Sequence, residues 1–219
     1  MISLFIKQLI MITDSHSHRV FTDGALTLYN LRLNDEPLTL PHGPDLYFSV
    51  GIHPLDAHRF QTQWIDQMSM LLTFQQVLAV GECGLDKNIE TGLQEQTAVF
   101  ERQIDLSEYH NKPLIIHCVG CFNELIALKK ERKPTQAWII HGFRGKPQLA
   151  EQLLQAGFYL SYGEHFNAAS VALTPLARLL VESDESTKEL SEIYAAIAEA
   201  RNCRVDELTG SSQVFKFNR

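Results

Sequence analysis

Short apolar or β-branched runs recur along this chain at regular intervals, and helix-length amphipathic segments fill the gaps between them. The runs are LYFSVGI (46–52), VLAVGE (77–82), LIIH (114–117), AWIIH (137–141), FYLSY (158–162) and LLVESD (179–184). Between them, WIDQMSMLLTFQQ, LQEQTAVFERQIDLSEYH, CFNELIALKKER, KPQLAEQLLQAG and VALTPLARL carry apolar residues at three- and four-residue spacing, the pattern of a helix with one face against a core. A strand that must wait for a helix before the next strand pairs with it in parallel, because tight turns join only antiparallel neighbours. The alternation therefore restricts the chain to an α/β architecture with a parallel sheet covered by helices. A further apolar lead into His16 makes seven strand candidates, and ELSEIYAAIAEARN followed by VDELTGSSQVFKF reads as closing helices.

One segment departs from the pattern. ALTLYNLRLNDEPLTLP (25–41) alternates apolar and polar residues and carries Asn34-Asp35-Glu36-Pro37 as a turn signal, which predicts a hairpin or paired extended segments. A length of 219 residues suits one large α/β domain, 1–219, better than two small ones. The opening MISLFIKQLIM is too short to cross a bilayer and lacks the charged lead and small-residue cleavage site of a secretory signal. It reads either as an extra turn packed on the floor of the fold or as sequence upstream of a start at Met11, so residues 1–10 stand apart. A net charge of −7 argues against coating duplex nucleic acid through a broad basic surface, so any phosphate substrate must be held locally. Four cysteines, Cys83, Cys118, Cys121 and Cys203, make no disulfide framework and point to a reducing, cytoplasmic compartment. Neither a membrane association nor an obligate protein partner is expected.

Chemistry-bearing residues gather at the ends of the apolar runs. In ITDSHSHRV (12–20), His16 and His18 are two residues apart, so on a strand both imidazoles project to the same side. Other runs end in Glu82, His117, His141 and Asp184. If the parallel sheet closes into a barrel, the carboxyl ends of its strands meet at one mouth and these six side chains converge there. Four imidazoles and two carboxylates exceed the four positions of one tetrahedral ion, and the mixture suits zinc, manganese, cobalt or iron better than calcium. Two ions about 3.5–4 Å apart, bridged by a carboxylate and a water, are expected. His53, in GIHP, also falls at a strand end and either meets the substrate or an outer-shell group, or simply orders the turn at Pro54. Arg144, with Lys146, lies in the loop after His141, where it could meet a substrate phosphate. His42, His58, His110 and His165 read as bystanders. Alternation turns Cys83 and Cys118 toward the helix layer, and the Cys118-x-x-Cys121 pair, starting on that face with no second pair, reads as structural in preference to a redox or zinc motif.

The ordered set DSHSH, VGIHP, AVGECGLD, QEQTAVFERQIDLSEYHNKPLIIHC, HGFRG and ESD resembles the TatD-like metal-dependent hydrolases of the amidohydrolase superfamily, from Met11 to about Phe217. The resemblance implies an irregular TIM-type (β/α) barrel of seven to eight strands with a shortened first βα region. It also implies a centre of two divalent ions, zinc or else magnesium or manganese. Carried over, His16, His18, Glu82 and Asp184 hold the first ion, and Glu82, His117 and His141 the second, with Glu82 bridging. Metal-assisted hydrolysis with Asp184 as proton acceptor is the expected chemistry. A phosphoester, with single-stranded or end-bound DNA foremost, is the implied substrate. Two rivals stay open: a hydrolase of a small ester, amide or lactone on the same centre, and a catalytically weak metal-binding scaffold. The departures motivate them. The interval from His18 to Gly51 is short, Val119 stands where the family pattern has an arginine, and ESDESTKELSEIY runs on without the Pro and the Arg- and Asn-containing loop that usually follow the last aspartate.

Overall fold

The computed structural model describes residues 12–19, 25–33 and 46–217. Eight strands, β1 (Thr13–Ser17), β2 (Leu26–Arg32), β3 (Leu46–Gly51), β4 (Val77–Asp86), β5 (Leu114–Val119), β6 (Trp138–Ile140), β7 (Tyr159–Tyr162) and β8 (Leu179–Val181), lie side by side in chain order. Every neighbouring pair is parallel. The helices are α1 (Thr62–Leu71), α2 (Leu93–His110), α3 (Phe122–Arg132), α4 (Pro147–Gln155), α5 (Ala168–Leu173), α6 (Leu190–Arg201) and α7 (Gly210–Val214). The sheet closes on itself just beyond β8: the Asp184 N–H donates to the His16 carbonyl at 2.9 Å, and the His18 N–H donates to the Asp184 carbonyl at 3.2 Å. Closure makes this a (β/α) barrel and brings all the strand carboxyl ends to one mouth. None of the described helices is long and apolar enough to cross a membrane.

Side-chain alternation divides the core in two. Leu26, Leu28, Tyr47, Leu78, Ala79, Ile115, Ile139 and Leu180 pack together with Phe215, which follows α7 and fills the floor of the barrel. Ile115 precedes His117 by two residues and Ile139 precedes His141 by two, so the mouth residues stand on the same inward face as this apolar floor. The opposite faces of the strands, with Phe48, Val50, Val80, Ile116, Ile140, Leu160 and Val181, form a larger cluster with the helices. Cys83 belongs to that outer layer as predicted: it is fully buried, and its thiol donates to the Ile115 carbonyl at 3.4 Å. Cys83→Ala is expected to cost about 1 kcal/mol through a small cavity, with metal content unchanged. Chemical denaturation paired with elemental analysis checks both halves, and metal loss would show that the strand faces are assigned wrongly.

Three expectations require correction. Residues 26–32 are not part of a hairpin but the barrel strand β2, inserted in parallel between β1 and β3; the Asn34–Pro37 turn lies outside the described residues, as do residues 1–11 and His42. Period-two alternation identifies a strand but not its partner, and residues 18–25 leave too short a connection for a helical crossover like those that join the successive strands from β3 to β8. In VALTPLARL the helix stops at Leu173; Pro175 precedes a separate 3-10 turn at Leu176–Arg178, because proline cannot donate to a continuing helix. Glu82 does not end its strand, since β4 runs on to Asp86 with a register irregularity between Val80 and Cys83. Glycines flank that carboxylate for a steric reason. A Cβ at Gly81 (φ +144°) would lie 2.5 Å from the Ile115 carbonyl oxygen, and one at Gly84 (φ +137°) 2.1 Å from that of His117.

Candidate metal centre

The mouth of the barrel is organised around Glu82. Its side chain is nearly buried, and its two oxygens face different groups of imidazoles. Oε1 lies 2.8 Å from His141 Nε2, 2.9 Å from His117 Nδ1 and 3.4 Å from His53 Nε2. Oε2 lies 3.6 Å from His18 Nε2 and 3.7 Å from His16 Nε2. Asp184 Oδ1 approaches the second group, 3.7 Å from His18 Nε2 and 3.9 Å from His16 Nε2. All six residues expected to act as ligands thus come together from five strands or their ends, and His53 joins them from the end of a sixth, β3. Among the described residues, three sets have donor atoms close enough to share an ion: His16, His18 and Glu82; His16, His141 and Asp184; and His53, Glu82 and His117.

The donor set fits a cation on physical grounds. His16 is wholly buried, yet among the described residues neither ring nitrogen has a hydrogen-bond partner, and His141 Nδ1 has none there either. An unsatisfied buried imidazole costs free energy unless something binds it. Burial, then the proximity of His141, holds His16 well below the ordinary histidine range, so it presents a neutral ring with free lone pairs. Burial also disfavours charge on Glu82, but His141, His117 and His18 outweigh it and keep the group an anion far below its usual pKa. At His141 burial likewise loses to Glu82 and Glu182, so the ring is held well above its ordinary pKa; the approach of the Glu82 carboxylate leads the upward shift at His18. At these two rings a proton therefore competes with an arriving cation more strongly than at a free histidine.

Outer contacts fix the rings. His117 Nε2 meets Asp86 Oδ2 at 3.2 Å, and His141 Nδ1 faces Glu182 Oε1 at 3.6 Å, so these two rings, each with one nitrogen toward Glu82, have a carboxylate behind the other. Glu182 is fully buried and also accepts from the Gly142 N–H at 2.5 Å. His53 serves both expectations: its Nδ1 accepts from the Leu55 N–H at 3.1 Å, ordering the turn at Pro54, while its Nε2 faces Glu82. Asp184 has φ +54°, a conformation Asp tolerates better than most residues, and it is pinned there by the two backbone bonds to β1. Asp14 lies beneath, accepting from the Ser183 N–H at 2.9 Å and the Ser183 hydroxyl at 2.6 Å; burial pushes its pKa up to about 7.

Arg144 is exposed and sits where two cavities meet: one of about 430 Å³ lined by His117, Val119, His141 and Asp184, and one of about 350 Å³ lined by Glu164, His165, Asp184 and Ser186. His165, set aside as a bystander, therefore stands beside the site, whereas Lys146 lines neither cavity. Cys118 is only half-buried and borders the first cavity.

Several positioning residues escaped the sequence. Asn30, on β2, accepts from the Glu82 N–H at 2.7 Å and the Ser49 hydroxyl at 3.2 Å; the hairpin assignment hid it. Gln103 clamps Ile52 through its N–H and C=O (2.8 and 3.0 Å), and Gln96 clamps Asp86 in the same way (2.8 and 2.9 Å). The available signal was two glutamines seven residues apart on the face of α2 that its apolar residues require to be buried.

The family described as "TatD related DNase" matches residues 15–212. Among curated relatives, the protein named 3'-5' ssDNA/RNA exonuclease TatD of Edwardsiella piscicida is 34% identical over 155 residues, covering 64% of this chain and 58% of the relative. The Bacillus subtilis protein named uncharacterized metal-dependent hydrolase YabD is 32% identical over 148 residues, again with 64% and 58% covered. The chain thus spans under two thirds of the length of these two relatives. The crystal structure of the TatD homologue YjjV from Escherichia coli superposes with a TM-score of 0.77 at 20% identity, covering 94% of this chain and 98% of that one, a likeness that shows the fold. The family match, spanning the strands that carry the buried His16, Glu82, His117 and His141, establishes that this chain belongs to the TatD-related DNase family.

Proposed function

We propose that this protein is a divalent-metal-dependent phosphoester hydrolase whose substrate class is nucleic acid, with single-stranded or end-bound DNA foremost. The observation that carries this reading is the division of labour at Glu82, one oxygen facing His117 and His141 and the other facing His16 and His18. Such a carboxylate suits two cations: His16, His18, Glu82 and Asp184 would hold one, and Glu82, His117 and His141 the other. Bound there, a pair of divalent ions, zinc or else magnesium or manganese, would supply Lewis acidity and an acidified water. The rest falls to the chain. Asp184, at the edge of the cluster and partly open to solvent, accepts the proton of the attacking water. Asp86 and Glu182 hold His117 and His141 in orientation. Arg144, at the junction of the two cavities, meets the phosphate, taking the place of the absent cleft arginine at Val119. The names of the relatives support a nuclease-like hydrolase, and four free cysteines support a reducing, cytoplasmic setting.

Metal-reconstituted protein should be screened against phosphodiester, phosphomonoester and carboxyl-ester reporters, with a 5'-labelled single-stranded oligonucleotide alongside. Phosphodiester cleavage that chelator removes and divalent metal restores is expected. Turnover confined to the carboxyl ester would replace this reading with the small-ester hydrolase.

A further inference from the structure

The end of the barrel opposite the metal centre carries a second feature. Loops that lead into the strands surround a cavity of about 650 Å³ there, and its lining includes Lys112, Lys129, Arg178 and Lys216 but no described carboxylate. In a chain of net charge −7, four cations line one cavity with a single carboxylate, Glu108, standing behind its Thr135 and Gln136 wall, a local excess that runs against the overall balance. Two of them are held rigidly. The Lys129 ammonium sits 5.0 Å above the rings of Trp138 and of Phe158, and the Arg178 guanidinium lies 4.4 Å over Tyr159 while donating to the Gly157 carbonyl at 2.9 Å. Lys129 makes no ion pair among the described residues, and the remaining nitrogens of Arg178 make no hydrogen bond there. Burial, then Arg178, brings the Lys129 pKa down to about 8, with Glu108 offsetting only part of that: this is a cation short of counter-charge. Lys112 is already engaged with the Phe74 and Val77 carbonyls, and Lys216 stands at the exposed rim. Phe74, 48% exposed, offers an aromatic face at the same cavity.

We propose that this cavity is a binding site for a phosphate-bearing small molecule of nucleotide size, its phosphate against Lys129, Arg178 and Lys216 and its planar part against Phe74. The volume falls within the range of small-molecule sites, roughly 300–1,000 Å³, and a guanidinium with free donors beside an unpaired ammonium matches a phosphate dianion. Its distance from the hydrolytic mouth makes it a site of its own, not a subsite of the cleft.

Isothermal titration of the full chain with deoxyadenosine 5'-monophosphate tests this, in the parent and in a Glu82→Ala background. That background lacks the carboxylate on which the metal reading rests, so binding there reports the lower cavity whether or not the metal reading holds. Saturable binding is expected to survive Glu82→Ala and to weaken roughly tenfold in Lys129→Gln and about threefold in Lys216→Gln, an exposed position whose change leaves folding intact. Deoxyadenosine should not bind, and inorganic phosphate should bind more weakly than the nucleotide. The proposal fails if no nucleotide binds in Glu82→Ala, if both lysine variants bind like their parent, or if deoxyadenosine binds as well as its phosphate.

Discussion

Asp184→Asn should lower phosphodiester hydrolysis by at least two orders of magnitude while leaving the barrel intact. The loss follows from chemistry: an amide cannot accept a proton and coordinates weakly, and general-base catalysis typically contributes about 10²–10⁴-fold. The integrity follows from geometry. Closure of the barrel at this residue uses its backbone N–H and C=O, which the substitution keeps, and asparagine tolerates φ +54° as well as aspartate does. Steady-state kcat on any reporter the parent turns over, with circular dichroism as the folding control, decides it. A near-parental rate would move the proton acceptor elsewhere, and His53, already facing Glu82 at 3.4 Å, is the next candidate.

Glu82→Ala should empty both metal positions at once. A ligand that serves one ion leaves the other in place when removed, whereas Glu82 presents one oxygen to each group of imidazoles. Elemental analysis of protein purified without chelator should fall from about two equivalents to near none. A full complement in the variant would sink the bridging assignment. The parent's metal affinity should also depend on pH in a defined direction. His18 and His141 hold their protons more tightly than free histidine, so binding a cation releases protons; affinity therefore rises with pH and weakens on the acid side. Titration calorimetry in buffers of different ionisation enthalpy would read that release directly.

Much of this architecture was legible in the sequence because its determinants are local. Alternating apolar runs and amphipathic segments specify parallel strands with helical crossovers, and α2 falls on the residues its periodicity marks, 93–110. The candidate ligands were legible for the same reason: strand alternation fixes which face each residue takes, and a closed barrel brings those faces to one mouth. Tertiary structure decided the rest. Residues 26–32 read as a strand, but whether β2 pairs with its own continuation or inserts between β1 and β3 depends on long-range hydrogen bonding that no local pattern encodes. With β2 misplaced, Asn30 could not be connected to Glu82, which is 52 residues away in sequence and 2.7 Å away in space. The same holds for Gln96, Gln103 and Glu182, whose roles consist of contacts to backbone and imidazoles on other elements. The sequence by itself determined which groups would meet at the mouth; only closure of the barrel through Asp184 and His16 decided that one carboxylate stands between two groups of histidines, because distances between strand ends arise from packing and not from periodicity.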